Sequence, residues 1–155
     1  MKICFYAGSF DPFTIGHLHV VKNASMIYDK VIVGIGTNEE KVRSFDKEEM
    51  KQAIVETMIE ERLENVEVMV YEGYTVDIAK KLGVTHFIRG IRNGKDYEYE
   101  KKIANYNLEH SGIRTIYIGA EEYEKISSTY VRNLIQEGEK VDSYIPHSVK
   151  KLMRQ

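Results

Sequence analysis

Gly8-Ser9-Phe10-Asp11-Pro12-Phe13-Thr14-Ile15-Gly16-His17 follows a short apolar run, Ile3-Cys4-Phe5-Tyr6-Ala7, and leads into an amphipathic stretch from Leu18 to Tyr28. Two glycines and a histidine therefore sit where a strand passes into a helix. The first backbone N–H groups of a helix have no partner within it, and the helix dipole is positive there, so such a junction binds phosphate readily. Gly8 and Gly16 let the backbone approach a phosphate closely and take dihedrals that other residues avoid. His17 adds a side-chain donor. The chain has no G-x-G-x-x-G and no G-x-x-x-x-G-K-[ST], so this is neither the dinucleotide fingerprint nor a P-loop.

Outward from this segment, short β-rich runs alternate with longer charged amphipathic ones. The pattern predicts strands at 2–7, 30–36, 65–71, 85–89 and 113–119, and helices at 17–28, 46–62, 75–82, 95–110, 128–137 and from 146. Val31-Ile32-Val33 and Phe87-Ile88 are continuously apolar, as strands covered on both faces must be. The expected fold is α/β: a doubly wound, five-stranded parallel sheet in a single domain spanning 1–155. Asp46 with Glu49 predicts a capping box, Gly83 and Gly138 follow helices, and Pro146 suits a first helical turn.

The 155 residues suffice for one real core. With 22 Lys+Arg against 24 Asp+Glu, the formal net charge is -2, which gives no global basic field for nucleic acid or an anionic membrane. The single Cys4 excludes an internal disulfide and suits a reducing cytoplasm, where it reads as a buried small hydrophobe. No apolar run approaches the roughly 20 residues that span a bilayer, and none after Lys2 reads as a signal peptide. His17 and His19 point to nearly opposite sides of a helix, so no zinc pair and no metal site is expected.

In sheets of this kind ligands bind beyond the carboxyl ends of the strands. After the fourth strand come Arg89 and Arg92, two guanidinium groups suited to phosphate contacts. Ser127, Ser128 and Thr129 stand at the fifth helix start, either as a second anion cradle or as plain N-caps. Lys41 and Arg43 lie after the second strand; Lys41 reads as a functional cation rather than half of a solvated pair, while Arg43 fits a ligand contact or a solvated face equally well. Tyr97, Glu98, Tyr99 and Tyr106 have the spacing of a packed amphipathic helix and read as structural.

Gly8-Ser9-Phe10-Asp11-Pro12 with Thr14-x-Gly16-His17 resembles the signature of the nucleotidyltransferase superfamily that carries the [H/T]-x-G-H motif. Threonine at the first motif position resembles the phosphopantetheine adenylyltransferases within it. Arg89-Gly90-Ile91-Arg92, Asp96-Tyr97-Glu98-Tyr99-Glu100, and Tyr123 with Ile126-Ser127-Ser128-Thr129 are similar to later segments of that family, so the resemblance covers nearly the whole chain. Asn38-Glu39-Glu40-Lys41-Val42-Arg43-Ser44-Phe45 is similar to its N-P-x-K-x-x-x-F segment, with Glu39 in place of the proline and Arg43 as an added cation; Ala7 replaces a proline common before Gly8.

The resemblance implies a Rossmann-like nucleotidyltransferase fold and transfer of AMP from ATP to 4′-phosphopantetheine, giving dephospho-coenzyme A and pyrophosphate. It implies His17, Lys41 and Arg92 as the catalytic set. ATP would meet Ser9, Phe10, His17, Gly90, Ile91, Arg92, Glu100, Tyr123, Ile126, Ser127, Ser128 and Thr129; the acceptor would meet Ser9, Lys41, Thr75 and Arg89. It also implies Mg2+ arriving with ATP, a homohexamer and feedback by coenzyme A. The alternatives are a nicotinate or nicotinamide mononucleotide adenylyltransferase, a cytidylyltransferase, and a non-catalytic nucleotide sensor on the same fold.

Overall fold

The computed structural model describes residues 1–38 and 40–154; Glu39, one of the departures in the lysine loop, lies outside them. Five strands, β1 (Ile3–Gly8), β2 (Lys30–Gly36), β3 (Val66–Tyr71), β4 (His86–Ile91) and β5 (Arg114–Gly119), form one sheet in the order β3-β2-β1-β4-β5. Every pairing is parallel. The helices are α1 (Ile15–Ile27), α2 (Lys47–Glu60), α3 (Thr75–Lys81), α4 (Gly94–Ser111), α5 (Ser128–Gln136) and a short α6 (His147–Lys150). Because β1 pairs with both β2 and β4, strand order reverses there, and the loops after β1 and β4 meet at the crevice where such sheets bind ligands.

Successive residues of the central strands feed two cores, as a period of two demands. Cys4, Tyr6, Val31, Val33 and Ile88 pack under α1, α2, α5 and α6, whereas Phe5, Ile32 and Phe87 pack with Val76, Ala79, Val84 and Tyr71 on the α3 side. This explains the unbroken apolar runs of the inner strands: both faces are covered. At Gly34 a Cβ would lie 2.4 Å from the Phe5 ring, so only glycine allows that aromatic to fill the second core. Cys4 is fully buried, and burial pushes its thiol up to about 12, so it is an inert core residue.

Three local expectations change. Asp46 caps α2 by accepting the Glu48 and Glu49 N–H groups, but the reciprocal box forms instead at Thr14 and His17. Gly8 and Gly16 do not take positive φ; Phe10 does, at 46°, a conformation costing roughly 1 kcal/mol for a bulky residue. Nor do the tyrosines of α4 pack into the core: Tyr99 is 66% exposed, and Tyr97 and Tyr106 are also exposed. The buried residue of that 18-residue helix is Glu100, because its partner is an arginine rather than an apolar side chain.

Candidate active site

The loop from β1 to α1 is organised around the His17 ring. Buried Phe10 and Phe13 hold it at centroid distances of 5.0 and 5.5 Å, with Tyr6 at 6.3 Å. Thr14 is the N-cap of α1: its Oγ1 accepts the His17 N–H at 3.3 Å, and its own N–H donates to His17 Nδ1 at 3.0 Å. The return bond of such a box is usually made by Glu or Gln; here histidine makes it. A ring nitrogen that accepts an N–H carries no proton, so the neutral imidazole bears its proton on Nε2. Burial, with the charges of Arg89 and Arg92 behind it, pushes the His17 pKa down to about 3. At neutral pH His17 is therefore an uncharged donor, not a cation.

Two helix starts converge beside that donor. A pocket of about 140 Å³ is bounded by Gly16 and His17 of α1, Gly90 near the end of β4 and Arg92 just beyond it, and Ile126, Ser127 and Ser128 at the start of α5. Ser127 Oγ accepts the Tyr130 N–H at 3.0 Å as N-cap, and Ser128 Oγ donates to the Pro12 carbonyl at 2.7 Å. These hydroxyls cap and tether α5, while the first-turn N–H groups stay without intrahelical partners. Gly90 has a steric reason as well: a Cβ there would lie 2.8 Å from Val20 Cγ2, so glycine allows α1 to close over β4.

The two arginines are matched by two carboxylates one turn apart on α4. Arg89 Nε and Nη2 donate to Glu100 Oε2 and Oε1 at 2.7 and 2.9 Å, and Nη1 donates to the Ala7 carbonyl. Burial opposes the Arg89 charge, but the Glu100 bonds and charge more than offset it. Three of five guanidinium N–H groups are used in this way, leaving two for a ligand. Arg92 presents its backbone N–H and Nε to Asp96 Oδ2 at 3.1 and 3.0 Å.

Arg89 also borders a second pocket of about 250 Å³ on the α3 and α4 side, lined by Ala7, Gly8, Ser9, Thr75, Ile103 and Asn107 among others. The fold thus joins Ser9, Thr75 and Arg89 in one pocket and His17, Gly90, Arg92, Glu100, Ile126, Ser127 and Ser128 in the other, with Arg89 common to both. Lys41 is elsewhere, in a neighbouring groove with Thr37, Asn38, Arg43 and Phe45. Phe10, Ile91, Tyr123 and Thr129 line neither pocket. Phe10 packs on His17, the Ile91 carbonyl accepts the Ala120 N–H at 2.8 Å, Tyr123 lies 5.1 Å from the His19 ring, and Thr129 Oγ1 accepts from Arg132 Nη2 at 3.1 Å. His19 itself contacts the Gly119 carbonyl at 2.9 Å, away from His17.

Sequence reasoning missed Asp96, Ile103 and Asn107 as site-lining residues. Their signal was present: 96, 100, 103 and 107 recur at helical spacing and share one face of α4. Nor did sequence foresee the contact of Arg132, whose Nη1 donates to the Asp11 carbonyl at 2.7 Å across 121 residues. Among the described residues no group of three or more His, Cys, Asp or Glu side chains could hold a metal ion, and no helix is long and apolar enough to cross a membrane.

Residues 5–134 match the model of the cytidylyltransferase-like family. A phosphopantetheine adenylyltransferase from Flavobacterium psychrophilum is 40% identical over 97% of this chain and 99% of its own length. Another, from Lactococcus lactis subsp. cremoris, is 40% identical over 99% of this chain and 94% of its own. Two solved structures share the fold at lower identity. The bifunctional NMN adenylyltransferase/ADP ribose pyrophosphatase of Francisella tularensis gives a TM-score of 0.70 at 20% identity, over 99% of this chain and 50% of that one. Thermotoga maritima TmcAL, bound with alpha-thio ATP, gives 0.67 at 18%, over 99% and 55%. With the convergent helix starts, the His17 donor and the near full-length identity together, the chain belongs to the cytidylyltransferase-like family and, within it, to the phosphopantetheine adenylyltransferases.

Proposed function

We propose that this chain transfers AMP from ATP to 4′-phosphopantetheine, releasing pyrophosphate and dephospho-coenzyme A. The observation that carries the reading is Arg89 standing as the shared wall of two pockets. One is rich in anion donors; the other is bordered by Ser9, Thr75 and Asn107 beside the apolar Ile103, Phe87 and Phe5. A two-anion reaction needs this layout, with a nucleotide on one side, a phosphate-ended acceptor with a long neutral arm on the other, and a cation between them.

In this reading an acceptor phosphate oxygen attacks the α-phosphorus, forming one P–O bond as the bond to the pyrophosphate oxygen breaks. The acceptor is already ionised, so no protein base or nucleophile is required. Arg89, with Lys41 from its neighbouring groove, brings the acceptor phosphate in against its repulsion from ATP. His17 Nε2–H donates to the α-phosphate oxygen on which charge grows, and Arg92 with the N–H groups of α5 takes the β- and γ-phosphates. Glu100 serves this scheme by holding the Arg89 fork in place. Mg2+ enters as part of the nucleotide substrate, bound mainly by phosphate oxygens and water.

The proposal extends to a homo-oligomer, a hexamer by family resemblance, supported by the exposed aromatic face of α4. It also extends to a cytoplasmic location, which the lone reduced Cys4 suits. The deciding assay supplies ATP, magnesium and 4′-phosphopantetheine and measures dephospho-coenzyme A, with nicotinate mononucleotide and CTP as comparison substrates. His17→Ala should abolish turnover while ATP binding stays within a few-fold. Turnover near the wild-type rate would remove His17 from the mechanism, and a faster reaction with a comparison substrate would reassign the acceptor or nucleotide.

A further inference from the structure

We infer that Arg43 is a positioning residue that fixes Ser9 relative to Lys41, and so sets the shape of the acceptor-phosphate site. The inference rests on the acceptor reading above, in which Ser9 and Lys41 contact that phosphate. Arg43 lies two residues after Lys41, and its guanidinium reaches back into the loop between β1 and α1. Nη1 donates to the Ser9 carbonyl at 2.6 Å, Nη2 to the Phe10 carbonyl at 3.4 Å, and Nε to the Phe45 carbonyl of its own loop at 2.9 Å. Nη2 also lies 3.7 Å from Asp11 Oδ1.

The contact is answered from the other side. Asp11, buried, accepts the Ser44 and Phe45 N–H groups at 2.8 and 2.9 Å. Two loops are thereby stitched by five polar contacts, four of them through backbone groups whose positions the side chains cannot relax independently. The fork directs three of its five donors at carbonyls, so Arg43 acts here as a tether between the loops; its side chain is only 18% exposed. The stitch includes the carbonyl of Phe10, whose φ is positive, so it restrains a strained point of the loop. Lysine is a poor substitute, because a single ammonium cannot span three carbonyls with fixed geometry.

The test is a kinetic double-mutant cycle on the full chain with ATP and 4′-phosphopantetheine. Arg43→Ala should raise the acceptor KM roughly tenfold or more while the ATP KM stays within about twofold. Lys41→Ala should raise the acceptor KM in the wild-type background and much less when Arg43 is already absent, because Lys41 is then misplaced. Where Arg43→Ala does not fold, Arg43→Lys carries the same comparison. Equal effects of Lys41→Ala in both backgrounds, or an ATP KM that rises as much as the acceptor KM, would overturn the inference while leaving the activity intact. A wild-type protein inactive with this acceptor would instead overturn the reading of function, and the inference with it.

Discussion

The neutral His17 gives a stability signature that can be worked out from the structure. Its pKa is about 3 in the folded protein against 6.5 as the ordinary value. Between those values the unfolded chain binds a proton that the folded chain refuses, so stability rises with pH across that window. The contribution is complete above about pH 6.5 and is lost as pH falls toward 3. One proton corresponds to about 1.4 kcal/mol per pH unit, so acidification from about pH 7.5 to about pH 5 should remove about 2 kcal/mol through this group alone, somewhat less because the ring is not wholly shielded from solvent. Urea unfolding of wild type and His17→Gln across that range isolates the effect, since the other histidines are common to both. The wild type should lose about 2 kcal/mol more than the variant. Parallel stability curves would mean that the imidazole titrates in place, and the assignment of His17 as an uncharged Nε2 donor would fall.

Other consequences are as direct. Glu100→Ala leaves the Arg89 guanidinium without its bidentate partner and should cost about 2 kcal/mol in unfolding free energy, below the fully buried range because Arg89 is partly open to its pocket. Thr14→Ala deletes the cap oxygen of α1 but not the Thr14 N–H that fixes Nδ1. Calorimetry should register a loss of about 1 kcal/mol, with turnover reduced less than in His17→Ala. Gly90→Ala forces a methyl to 2.8 Å from Val20 Cγ2 and should destabilise by about 1–3 kcal/mol. An unchanged melting temperature would show that α1 yields freely. Arg132→Ala, which frees the Asp11 carbonyl, should lower kcat without an equal rise in either KM, as a loosened phosphate loop would.

The alternation of apolar strands with amphipathic helices was enough to specify an α/β doubly wound sheet, because a strand covered on both faces has no polar alternative and a helix on a sheet has one apolar stripe. The five strands and α1 to α5 all lie within a few residues of their expected positions. The Gly8 to His17 junction, the arginines at the end of β4 and the hydroxyls at the start of α5 were legible for a related reason: each is a local pattern at a strand or helix end, where chain geometry leaves donors available. Partnership was not legible. No local rule connects Arg89 to Glu100, Arg43 to the Ser9 carbonyl or Arg132 to the Asp11 carbonyl; the last two span 34 and 121 residues. Nor does sequence give the protonation of His17, which depends on Phe10, Phe13, Arg89 and Arg92 closing around it. Composition and periodicity act through nearest neighbours along the chain and so determine which elements form. Charge state, pairing and the meeting of two pockets at Arg89 depend on what folding brings within a few ångströms, and these were decided by the packing of the sheet and its helices.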